Sequence, residues 1–67
     1  MTVAKVSEIT AQSSKSFEDA IQQGIARAGK TIRNIQSAWV NEQSVVVRNG
    51  KVAEWRVNLR VTFLLDD

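Results

Sequence analysis

Asn49-Gly50 lies between two long runs of strand-forming residues, and it constrains the fold more than any other part of the chain. Both residues tolerate the positive φ that a two-residue type I′ turn demands, so the pair predicts a hairpin of strands over residues 39–48 and 51–65. The second run alternates in the two-residue period of a strand, with Val57, Leu59, Val61, Phe63 and Leu65 on one face. Arg56, Asn58, Arg60 and Thr62 occupy the other. A strand of about fifteen residues is roughly two to three times the usual length. In so short a chain, that much sheet is expected to pack against further copies of itself.

The chain has 67 residues, which makes one domain (1–67) near the lower size limit for folding without disulfides or metal. It has no cysteine and no histidine, so the commonest general base and the usual nucleophile–base pairs are missing. The carboxylates are scattered, without the spacing of acid/base or metal-ligand work, and the composition favours a binding or assembly protein over an enzyme. No run approaches the roughly eighteen apolar residues of a membrane span, and no secretory leader is visible. A soluble, cytoplasmic protein with no membrane partner is therefore expected. A net charge of +2, mixed along the chain, does not point to nucleic acid.

Residues 3–9 read as a short strand, and Thr10 to Ser14 as a small, polar connection with Ser13 or Ser14 as the helix N-cap. Phe17, Ala20, Ile21, Gly24, Ile25, Ala28 and Ile32 recur at helical spacing. Glu18 and Asp19 suit the positive end of that helix; Arg27, Lys30 and Arg33 suit the negative end. Small residues at Ala20, Gly24 and Ala28 predict close approach of helix to sheet, whereas Gly29, off the stripe, has no evident reason. The order is strand, helix, strand, strand: an α+β chain whose three-stranded antiparallel sheet carries one helix on one face.

Several segments together resemble the dodecins: residues 3–9 (Val-Ala-Lys-Val-Ser-Glu-Ile), the helix segments Ser16-Phe-Glu-Asp-Ala20 and Gly24-Ile-Ala-Arg-Ala28, Thr31-Ile-Arg-Asn-Ile35, and Arg56-Val-Asn-Leu-Arg-Val-Thr-Phe63 with the acidic end Asp66-Asp67. The order, spacing and total length carry the resemblance over nearly the whole chain. It implies a βαββ subunit, its sheet wrapped on one helix, assembling into a hollow homododecamer of cubic symmetry. It also implies a non-enzymatic storage or sequestration protein for flavins such as riboflavin or FMN, stacked at subunit junctions. In the family pattern a stacking tryptophan occupies the position of Ser37 and a glutamate that of Trp39, while Arg56 replaces a glutamine that contacts the flavin. These departures imply weakened flavin binding in an intact shell. Ser37, Trp39, Arg56 and Asn58 are the candidate site residues.

Each candidate also has a plainer role. Trp39 shares the face of Ser37 and either stacks a planar ligand or fills a subunit interface; the altered ligand pattern favours the interface. Trp55 has the parity of Val57 and Leu59 and belongs with the buried side. Arg56 and Arg60 form a small cationic strip, suited to ion pairs with Glu42 or Glu54 between subunits or to a phosphate group. With Arg48 and Lys51 they are too few for a nucleic-acid face. Asp66-Asp67 is either a solvated end or, repeated around a symmetry axis, a source of oxygen ligands for a hard cation. The rival to flavin storage is thus a structural dodecameric shell without a flavin site, holding ions or small anions at its axes.

Overall fold

A computed structural model of the chain describes residues 2–65. Four elements follow in order: β1 (Ala4–Ser13), α1 (Phe17–Ala28), β2 (Ile35–Arg48) and β3 (Lys51–Leu64). The strands form one antiparallel sheet in the order β1-β3-β2, so β3 is central and pairs with both neighbours. Asn49 and Gly50 have φ of 53° and 73°, the left-handed pair expected of the hairpin turn. The expected strand, helix, strand, strand order holds throughout.

The core lies where α1 crosses the middle of the sheet. Val57, Leu59 and Val61 are buried there with Ala20, and Ile9, Ala11, Phe17, Ile21, Ile25 and Ile35 pack around them. Burying a side chain such as Leu59 contributes about 1.5–3 kcal/mol. Gly24 allows the close approach: a Cβ there would lie 3.0 Å from the Ala11 Cβ. Gly29 is the C-cap at φ −63°, a conformation open to any residue, and nothing in the structure explains its choice.

Four boundaries differ from the sequence reading by more than one residue. β1 runs on through Thr10, Ala11, Gln12 and Ser13, in unbroken register with β3 to the Ser13–Trp55 pair. Polar Thr10 and Gln12 point to the solvated face, so the segment alternates as a strand although its composition suggests a loop. The N-cap is consequently Ser16, whose hydroxyl accepts the Asp19 amide at 3.0 Å. Ser13 instead donates to the Asp19 carboxylate at 2.5 Å, tying the end of β1 to the first turn of α1. The helix ends at Ala28, leaving Lys30, Ile32 and Arg33 in the connection, where Asn34 at φ 62° turns the chain into β2. β2 begins four residues earlier than expected, at Ile35.

The molecule is long for its mass. Its principal extents are 52 × 19 × 13 Å and its radius of gyration is 13.8 Å, against about 11 Å for a compact domain of this length. Beyond the Ser13–Trp55 pair, β2 and β3 continue as a two-stranded ribbon, which is marginal in water without further packing. Val47, Val52, Val45 and Val40 are among the exposed large apolar residues. Among the described residues, no helix is long and apolar enough to cross a membrane.

Candidate functional site

The face of the sheet away from α1 carries every candidate residue. Register places Ser37 opposite Thr62 and Trp39 opposite Arg60 on one strand pair. Asn58 lies between Thr10 and Glu42, and Arg56 between Gln12 and Ser44. Directly opposed residues share a face, so Ser37 and Trp39 do leave the same side, together with the even-numbered side chains of β3.

An irregularity in β2 then changes its parity. Val40 pairs with Leu59 but Glu42 pairs with Asn58, so Asn41 is an extra residue. Such a bulge re-aims side chains: Asn41 reaches the open face, where its side-chain amide donates to Asn58 Oδ1 at 3.0 Å. Asn58 in turn donates to Thr10 at 3.1 Å and Glu8 at 3.3 Å, so its amide is satisfied from both neighbouring strands. Arg56 donates through Nε to Gln12 at 3.1 Å, and Gln12 donates to Glu54 at 2.8 Å. Within the chain, the carboxylate beside Arg60 is Glu8, from β1, at 3.4 Å. Both partners are about half exposed, which makes the pair worth about 0–1 kcal/mol and chiefly orienting.

Trp39 is 46% exposed, and the Arg60 guanidinium carbon stands 5.9 Å from its ring centroid. One side of the indole is therefore engaged within the chain by a contact worth about 0.5–1 kcal/mol at an exposed site. Trp55 lies on the helix side, half-buried, opposite Ser13 and Val45. Its side of the sheet is as expected, at the point where β1 and the core run out.

The candidates share a face without sharing a single cradle. From Thr62, beside Ser37, to Arg56 is six residues of β3, about 20 Å at strand rise. The concavity on this face, lined by Thr10, Asn41, Glu42, Ser44, Arg56 and Asn58 with Glu8, has a volume of 270 Å³, just under the range of about 300–1,000 Å³ typical of ligand pockets. A larger cleft of 480 Å³ lies between β1 and α1, but Ser37, Trp39, Arg56 and Asn58 do not line it. Trp39 offers a half-exposed aromatic ring on this face, whereas Ser37 offers none. Among the described residues, no cluster of three or more His, Cys, Asp or Glu side chains is placed to hold a metal; Asp66-Asp67 lies outside them.

Sequence reasoning missed Glu8, Thr10, Gln12 and Asn41. The first three were legible as a polar i, i+2, i+4 set once β1 is carried to Ser13. Asn41 was not, because its placement depends on a bulge that no local residue pattern announces.

The family model described as Dodecin matches residues 3–66. A point mutant of the Thermus thermophilus dodecin is 34% identical, covering all of both chains with a TM-score of 0.95. The dodecin of Streptomyces davaonensis is 32% identical over 98% of this chain and 97% of its own, with a TM-score of 0.94. A calcium-chelating calcium dodecin from Mycobacterium tuberculosis, described as having a novel calcium-binding site, is 34% identical over 96% of this chain and 91% of its own, with a TM-score of 0.83. No curated protein matches the chain.

Proposed function

The chain belongs to the dodecin family, and on that premise we propose that it is a non-enzymatic protein whose homododecameric shell holds a small planar ligand, with flavin the ligand class, at subunit junctions. The supporting observation is the spread of Ser37, Trp39, Arg56 and Asn58 along about 20 Å of one solvated sheet face. One subunit closes no pocket around them, so a site arises when a second open face meets the first. Trp39 supplies the stacking ring from its side away from Arg60, and stacking gains from excluding water between aromatic planes. Arg56 keeps guanidinium N–H groups beyond its Nε bond to Gln12, and these suit a phosphate or a ring carbonyl. A bound flavin would contribute a planar ring system; the chain's part is to orient it and keep it dry.

A second reading, a shell whose junctions are filled by its own side chains, draws support from Arg60 over Trp39 and from the mutual satisfaction of Asn58, Glu8, Thr10 and Asn41. The calcium-chelating relative makes calcium the first ion to test for such a shell.

Titration of riboflavin and FMN into the assembly separates the two readings, with emission followed in a Trp55→Phe variant that leaves Trp39 as the reporter. The flavin reading expects both flavin and tryptophan emission to fall and to saturate at a simple ratio to subunits. A flat titration at micromolar protein ends it in favour of the filled shell. Metal analysis in chelator-free buffer then tests for calcium.

A further inference from the structure

Among the described residues, β1 has β3 on one side and no strand on the other. Register fixes which main-chain groups face that free side. The Leu65 amide donates to the Val3 carbonyl at 3.0 Å. The same alignment runs unbroken from the Ala4–Leu64 pair to the Ser13–Trp55 pair. In an antiparallel ladder, residues that exchange hydrogen bonds with the partner alternate with residues whose N–H and C=O point away from it. Odd-numbered residues of β1 therefore bond to β3, and the N–H and C=O of Thr10 and Gln12 face outward.

α1 packs principally on β1 and β3, and the cleft of 480 Å³ between β1 and α1 opens along this edge. Thr10 and Gln12 line it with their main chain, because their side chains are engaged on the open face with Asn58, Arg56 and Glu54. Ile9, Ala11, Gly24, Ala28 and Ile32 give the cleft an apolar floor. Arg27 is the one charged residue in its lining. A place in the last turn of α1 suits Arg27 to the helix dipole. Among the described residues, however, its guanidinium has no carboxylate or hydrogen-bond partner.

We propose that this cleft binds a small amphipathic carboxylate of the N-acyl amino acid class. Each part of the cleft selects one part of that ligand. The floor takes the acyl chain, whose burial removes apolar surface from water. The amide N–H and one carboxylate oxygen stand to each other as the N–H and C=O of a strand residue do. They can therefore pair with the outward C=O and N–H of Thr10 or Gln12, as an added strand would. The carboxylate also answers the Arg27 guanidinium, which meets no negative charge in the lining. The volume lies within the range of about 300–1,000 Å³ typical of small-molecule sites. Ser37, Trp39, Arg56 and Asn58 take no part in this cleft, so the proposal stands apart from the flavin reading.

The test is calorimetric titration of the assembled protein with N-octanoylglycine, N-octanoylglycinamide and octanoate. The first keeps all three ligand features, the second lacks the charge and the third lacks the amide. N-octanoylglycine is expected to saturate the protein and to bind about tenfold more tightly than the uncharged amide, as a hydrogen bond to a charged group warrants. Octanoate should bind more weakly than N-octanoylglycine. Arg27→Gln should erase the preference for the carboxylate, with light scattering confirming an unchanged assembly. A diazirine-bearing N-acylglycine is tested in parallel on the unaltered protein, and its labels are expected within residues 9–12 or 23–32. No saturable binding of N-octanoylglycine would overturn the proposal. So would equal affinity for the charged and uncharged probes, a carboxylate preference that survives Arg27→Gln, or labels on Trp39 or Arg56. A flat riboflavin titration refutes the flavin site and leaves these outcomes unaffected.

Discussion

Replacing Gly24 by alanine tests whether the helix is as close to the sheet as the core requires. In most helices the change stabilises, because alanine is favoured over glycine by about 0.8–1.0 kcal/mol. Here the added methyl would lie 3.0 Å from the Ala11 Cβ, 3.5 Å from Leu59 Cδ1 and 3.7 Å from Ile9 Cδ1. The first distance is about 0.5–1 Å inside the optimal carbon–carbon separation. The Leu59 and Ile9 methyls can give way by side-chain rotation; the Ala11 Cβ is fixed to β1 and cannot. Overpacking of this kind costs about 1–3 kcal/mol. The contest therefore resolves to a net loss of about 1 kcal/mol, with the propensity gain absorbed. Adding Ala11→Gly removes the clashing atom, so the double variant should recover part of the loss, with a coupling of about 1 kcal/mol in its favour. Urea midpoints supply the measurement, taken at one subunit concentration because assembly links stability to concentration. Gly24→Ala stabilising the protein by the full 0.8–1.0 kcal/mol, with no coupling to Ala11, would refute the close packing of α1 on β1.

Further outcomes follow from the turn, the cap and the open face. Gly50→Ala puts a Cβ at φ +73° into open space; it should cost about 1–2 kcal/mol through backbone strain alone, read as a lower urea midpoint with an unchanged m-value. Ser16→Ala removes the acceptor of the Asp19 amide and should cost about 0.5–2 kcal/mol, whereas Ser14→Ala should be nearly neutral in the same assay. On the alignment proposed for the site, Ser37→Trp combined with Trp39→Glu and Arg56→Gln would supply the family's flavin contacts at positions that share the open face. This triple variant should bind riboflavin more tightly than the parent by emission titration, and no gain in an intact shell would show that the site has been aligned wrongly.

How far the sequence could be read depended on whether a feature was local. The turn at Asn49-Gly50, the alternation of β3 and the light helix face at Ala20, Gly24 and Ala28 each depend on residues within one element, and all three stand in the structure. The polar tail of β1 misled because Thr10 and Gln12 resemble a loop until a partner strand is supplied; Arg56 and Asn58 of β3 are that partner. The N-cap followed that error, moving from Ser13 or Ser14 to Ser16. For the candidate site, strand parity joined Ser37 to Trp39 and Arg56 to Asn58, and the register of β2 on β3 puts both pairs on one face. Their partners Glu8, Gln12 and Asn41 come from other strands, and one of them from a bulge.

Chain order and periodicity alone determined that this protein is a βαββ unit with more sheet than its single helix covers, because strand period and turn chemistry are properties of neighbouring residues. Only the folded structure decided that β3 lies between β1 and β2, that Arg60 turns onto Trp39, and that α1 sits to one side and leaves Val40 and Val45 open. Those outcomes depend on which segments meet across the sheet, at separations where no local preference of the backbone reaches.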